Sequence, residues 1–127
     1  MKIKVLAGSA SEETLRKEFQ NAKKTAEVRL GEHFLFYRYF IRINAVAYGE
    51  IGKAYLRIES GEVGEFPLTE HYLMLVDRQG KTHKLRMEHP EDAQKVLAYL
   101  GEHFPAVEIG HYKNRVSSNA ISPRSYS

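Results

Sequence analysis

The sequence of 127 residues has no cysteine, which excludes a disulfide scaffold, a thiolate metal centre and a cysteine nucleophile. Nor does it have a run of about 18 apolar residues, the length a membrane-spanning helix needs, and the apolar stretch within Met1 to Ala10 is too short for a signal peptide. A soluble, cytoplasmic protein is the expectation. A long block of positive charge is missing as well. The net charge of +3 is 19 basic against 16 acidic side chains, split as seven and four in residues 1–30, nine and twelve in 31–110, and three and none in 111–127. Surfaces that track phosphates cluster their cations, so an acidic middle between basic ends argues against nucleic acid.

Catalytic signatures are equally scarce. His33, His71, His83, His89, His103 and His111 form no HxH or HExxH spacing. Only Glu70–His71 and Glu102–His103 put a carboxylate beside an imidazole, and neighbours on a strand or helix point apart, so no metal is expected. Val5 to Ser11 has the strand, Gly-Ser turn and helix start of a phosphate loop, but the further βαβ units of such folds do not follow. Ser9, Ser11 and Ser60 lack a G-x-S-x-G elbow. Glu62/Glu65 and Glu91/Asp92 read as loop solvation and helix N-terminal charge. The protein is read as having no enzymatic activity and no cofactor.

What is present is an α+β pattern in one domain-sized chain. Lys2 to Leu6 alternates as a short strand before Gly8-Ser9. Ser9 and Glu12 then make a capping box, and Leu15, Phe19, Ala22 and Ala26 form one apolar helical stripe. From Val28 the texture turns to aromatic and β-branched residues punctuated by glycine. The expected strands are Val28 to Leu30, Phe34 to Ala47, Ala54 to Ile58, Val63 to Pro67, Tyr72 to Asp77 and Thr82 to Met87, with Asp77 to Lys81 as the clearest hairpin loop. Pro90, Glu91 and Asp92 open a second helix with a stripe of Ala93, Val96, Leu97, Leu100 and Phe104. A short strand, Val107 to Ile109, closes the ordered part. Asn114 to Ser127, rich in Ser, Asn and Pro, reads as a disordered tail.

Arg29-Leu30-Gly31-Glu32, Phe34 to Tyr37, and Val46 to Ile51, followed by the hairpin Tyr72 to Met87 and the helix from Pro90, resemble bacterial pleckstrin-homology-like (PH-like) domains over about residues 27–110. The resemblance implies an antiparallel β-barrel or curved sheet capped by a C-terminal helix, used for binding peptides, proteins or lipid headgroups. The division it implies is an N-terminal strand and helix extension at 1–26, the PH-like domain at 27–110 and a flexible tail at 111–127. Phosphoinositide binding is not implied, because no Lys/Arg-rich loop joins the first strands. A cystatin-like or NTF2-like roll that binds or converts a small molecule is the alternative, with His71 or Glu70 as its titratable group.

The constellation singled out lies on the long strand. Alternation places Phe34, Phe36, Arg38, Phe40 and Arg42 on one face and Leu35, Tyr37, Tyr39, Ile41 and Ile43 on the other, both largely apolar. Leu35, Tyr37, Ile41 and Ile43 are expected in the core, and the Phe/Arg face is expected to need the N-terminal helix or a second subunit. Arg38, Phe40, Arg42, Tyr55 and Arg57 are the candidate binding residues, and the expected partner is another protein or a second copy of the chain. The competing reading packs these arginines over neighbouring aromatics or pairs them with Glu50 and Glu59.

Overall fold

The computed structural model describes residues 2–110, with Val63 and residues 113–116 described by their backbone alone. Among these residues two α-helices and ten strands form an α+β fold of two mixed sheets. Strands β1 (Ile3–Ala7), β2 (Lys23–Thr25), β3 (Val28–Leu30), β4 (Phe34–Tyr39) and β5 (Arg42–Ala47) make the first sheet in the order β1-β5-β4-β3-β2. Strands β6 (Ile51–Val63), β7 (Phe66–Asp77), β8 (Thr82–Met87) and β10 (Lys113–Val116) make the second in the order β10-β6-β7-β8, and the two-residue β9 (Glu108–Ile109) also pairs β6.

The expected antiparallel β-barrel or curved sheet is therefore corrected to two mixed sheets. The physical reason lies at their edges: β1 runs parallel to β5, and β9 and β10 run parallel to β6, so the outer flanks are occupied by terminal strands. Lys113–Val116, inside the stretch read as a tail, belongs to the second sheet. The remainder of that stretch, 111–112 and 117–127, lies outside the described residues.

Helix α1 (Glu12–Asn21) starts later than its sequence signal. Its N-cap is Ser11, whose hydroxyl accepts from the Thr14 amide at 3.2 Å, not Ser9. It also ends earlier, so Ala26, the last residue of the expected stripe, sits in the β2–β3 turn with a φ of +57°. Leu15 and Phe19 remain on the inner face and cover Phe34, Phe36, Ile43 and Ala45 of the first sheet. The Phe19 and Phe36 rings meet edge to face at 5.3 Å.

The opposite face of that sheet joins the main core. Val28, Leu30, Leu35, Tyr37 and Val46 pack there with Ala54, Leu56, Leu73, Leu75, Leu85 and Met87 of the second sheet and with Ala93, Val96, Leu97 and Leu100 of helix α2 (Pro90–His103). Each fully buried Leu of this cluster contributes roughly 1.5–3 kcal/mol. Two apolar faces on β4 are thus accounted for by α1 on one side and the main core on the other.

The long strand Phe34 to Ala47 is in fact a hairpin. Tyr39 pairs with Arg42, leaving Phe40 and Ile41 as a two-residue turn. That turn resets the alternation, so Ile43 faces α1 with Phe36 and Arg38 instead of joining Tyr37 in the main core, and Ile41 is at the tip. Ala54 to Ile58 and Val63 to Pro67 are likewise not separate strands, because β6 runs unbroken from Ile51 to Val63 and turns at Gly64-Glu65 into β7. A 3-10 turn, Tyr48–Glu50, carries the chain from the first sheet to the second.

Candidate functional site

The β2–β3 and β4–β5 turns lie at the same end of the first sheet, since Val28 at the start of β3 pairs with Tyr37 near the end of β4. Helix α1 is ten residues long, and the chain leaves it to enter β2 at Lys23, opposite Leu30 at the other end of β3. A groove of about 570 Å³ opens between α1 and the turns, in the size range of ligand and peptide sites. Phe19, half-buried over Phe36 and Ile43, gives it an apolar wall, and Lys24, Arg29 and Arg38 give it three cations.

These cations are not neutralised by their surroundings. The Arg29 guanidinium lies over the Phe19 ring, 4.6 Å from its centroid. Lys24 stands directly opposite Arg29 across β2–β3, a like-charge pair that costs stability on a sheet. Among the described residues neither Lys24 nor Arg38 has an ion-pair partner. The one carboxylate in the lining, Glu27, is engaged elsewhere, where it accepts the Glu88 amide at 2.7 Å and ties the β2–β3 turn to the approach of α2.

Phe40 stands on the rim. It is 80 % exposed and its neighbour Ile41 90 % exposed, the two most exposed large apolar side chains among the described residues. Phe40 also has a φ of +57°, in the left-handed region, at the first position of a two-residue turn where glycine is the unstrained choice.

Of the five residues singled out in the sequence, the fold brings Arg38 and Phe40 to this groove and separates the other three. Arg42 points to the opposite face, where its Nε donates to Asn44 Oδ1 at 2.9 Å and its guanidinium lies 5.3 Å from the Tyr39 ring centroid. Tyr55 and Arg57 are on β6 in the second sheet. Arg57 pairs with Glu59 at 3.0 Å, and Lys84 reaches the same carboxylate at 3.4 Å while lying over Tyr72. The 3-10 turn that sends β6 into a different sheet from β5 is what parts them. Glu70 and His71, the titratable groups of the roll alternative, do not line this groove; Glu70 is bound to Arg86.

Sequence reasoning missed Phe19, Lys24 and Arg29 as groove residues. The signal for Lys24 and Arg29 lies in the strand pairing of Lys24 with Arg29 and of Arg29 with Phe36, and that for Phe19 in the apolar stripe of α1. It also missed a buried pair, Asp77 and His83. Asp77 Oδ1 accepts the amides of Gln79 and Lys81 at 3.0 and 2.9 Å, and its Oδ2 faces His83 Nε2 at 3.0 Å. Burial opposes the Asp77 charge, but the His83 hydrogen bond and the two amides together outweigh it and hold the carboxyl below its ordinary range. With both Asp77 oxygens engaged inside the β7–β8 loop, the pair works as a staple of that hairpin.

No helix among the described residues is long and apolar enough to cross a membrane. No group of three or more His, Asp or Glu among them could hold a metal ion. No curated protein and no solved structure matches the chain. One family model does, that of a domain of unknown function (DUF6709); its match runs over residues 3–118, from β1 through β10, and the chain belongs to that family.

Proposed function

We infer that this domain is a noncatalytic binding and assembly module for proteins, cytoplasmic and self-associating, whose working surface is the turn end of the first sheet. One observation carries the reading. Two large apolar side chains, Phe40 and Ile41, are held out at a tight turn beside a groove with three cations, and one of them occupies a backbone conformation that costs about 1–3 kcal/mol. An exposed aromatic beside arginines is a composition enriched at interface centres. Sequential hairpins β6–β7–β8 leading into α2 support a distant PH-like kinship for the second half of the fold, and such domains present their surfaces for recognition.

Sedimentation velocity of the full chain beside Phe40→Glu tests the proposal, with circular dichroism to confirm that the variant folds. Association of the wild type, lost in the variant, is the expected result. Equal association of the two would remove the turn end as the working surface. A wild type that stays monomeric but binds small aromatic carboxylates in the groove would favour the small-molecule reading, which the groove volume of about 570 Å³ also accommodates.

A further inference from the structure

The β6–β7 hairpin extends past the described residues of its neighbours. Strand β8 reaches β7 only as far as His71, and β10 reaches β6 only as far as Ser60. Beyond these points residues 61–68 pair only with each other among the described residues, with Gly64-Glu65 as the turn, so a two-stranded arm projects from the sheet. Such a ribbon has little stability of its own in water and gains from being covered.

The arm has a distinct chemistry. Its register places Phe66 and Leu68 on one face, 74 % and 44 % exposed, with Glu65 in the turn and Glu62 on the reverse. Both glutamates are exposed, and neither has an ion-pair partner among the described residues. No lysine or arginine occurs between Arg57 and Arg78, so no cation within the arm offsets Glu62 and Glu65. An acidic turn with an aromatic and a leucine beside it is the complement of a cationic groove walled by Phe19 and Phe40. Within one chain the two do not meet, since every residue lining the groove falls between 19 and 43.

Resting on the assembly reading above, we propose that the occupant of the groove is the β6–β7 arm of a second copy of this chain. Phe66 enters against Phe19 and under Phe40, and Glu65 in the arm's turn lies against Arg38 and the Lys24–Arg29 pair. The contact is heterologous, groove to arm. Two copies exchanging arms reciprocally close it as a dimer, and an unreciprocated exchange continues it as a chain.

Sedimentation velocity at low and high salt tests this with wild type, Arg38→Glu, Glu65→Arg, and an equimolar mixture of the two variants. Both substitutions are at exposed positions; if Arg38→Glu does not fold, Lys24→Glu replaces it. The expected result is salt-sensitive association of the wild type, weakened about tenfold or more in each variant alone and regained in the mixture, where an acidic groove meets a basic arm. Association of the single variants at wild-type strength, or no recovery in the mixture, overturns the arm-in-groove contact. The assembly reading would survive that result if Phe40→Glu still abolished association. A wild type that remains monomeric at high micromolar concentration overturns the arm-in-groove contact outright.

Discussion

The carboxylate of Glu18 occupies the place where residue 31 would carry a side chain: a β-carbon built on Gly31 comes within 2.6 Å of Glu18 Oε2. The same oxygen accepts the Phe34 amide at 2.7 Å and the His33 amide beside it. Helix α1 is thereby locked to the β3–β4 connection by a side chain that needs a glycine opposite.

Gly31→Ala should then act like the loss of Glu18 itself. Each leaves the His33 and Phe34 amides without their acceptor, at a cost of about 1–3 kcal/mol. Thermal melts of Gly31→Ala, Glu18→Ala and the double variant check it. If the two changes break one contact, the double variant melts close to either single, and additive losses would show that they are independent.

Phe40→Gly should raise stability. The substitution removes a non-glycine residue from a φ of +57° and takes an 80 % exposed ring off the surface, for a gain of about 1 kcal/mol or more. A higher melting temperature together with weaker association is the expected pair of results, and a lower melting temperature would show that the edge-to-face contact of Phe40 with Tyr39, 4.6 Å between centroids, outweighs the backbone strain.

Lys24→Glu should move in the same two directions for a different reason. It replaces a like-charge pair across β2–β3 with an opposite-charge pair facing Arg29, worth roughly 0.2–1 kcal/mol. Chemical denaturation at low salt would register the gain, and added salt should reduce it.

The pH dependence has two limbs. Asp77 has a depressed carboxyl, so its contribution is present above the unfolded value of about 4 and is lost as pH falls through the folded one. Tyr48 is the reverse: burial first, then the neighbouring Tyr99, raise its phenol, and its hydroxyl donates to the Gly31 carbonyl at 3.0 Å. Its contribution is present below the unfolded value of about 10 and is lost as pH rises beyond it. Melting temperatures across the pH range should fall at both ends, with Asp77→Asn flattening the acid limb and Tyr48→Phe the alkaline one.

Secondary structure is legible in the sequence at some strands and turns and not at others: Gly52 and Gly61 lie inside β6 and mark no boundary. The expected limits of Val28–Leu30 and Thr82–Met87 are the observed ones, and the Asp77 to Lys81 loop carries Gly80 at a φ of +89°. The turns that escape a sequence reading, at Ala26 and Phe40, place ordinary residues where the backbone wants glycine, so tertiary packing overrides the local signal there. One hidden turn then propagates. Taking β4 and β5 as one strand puts Ile43 on the wrong face and aligns Arg42 with Arg38, although a two-residue reversal sends them to opposite sides. Parallel pairing is invisible for another reason: β1 and β5 are matched by register across the fold, and no loop in the sequence announces that partnership.

That last pairing bears on the order in which the molecule is built. Ile3 meets Ile43, and Lys113 meets Arg57, so neither terminal strand can zip up from a turn. Hairpins close in about 1–10 μs, whereas these edges wait for long chain loops to close. Until β1 and α1 settle, Phe34, Phe36 and Ile43 stand bare as one hydrophobic sheet face. Refolding at high concentration therefore becomes a race between a chain's own N-terminal segment and that of a neighbour, and a swapped N-terminus is the error this architecture is most exposed to.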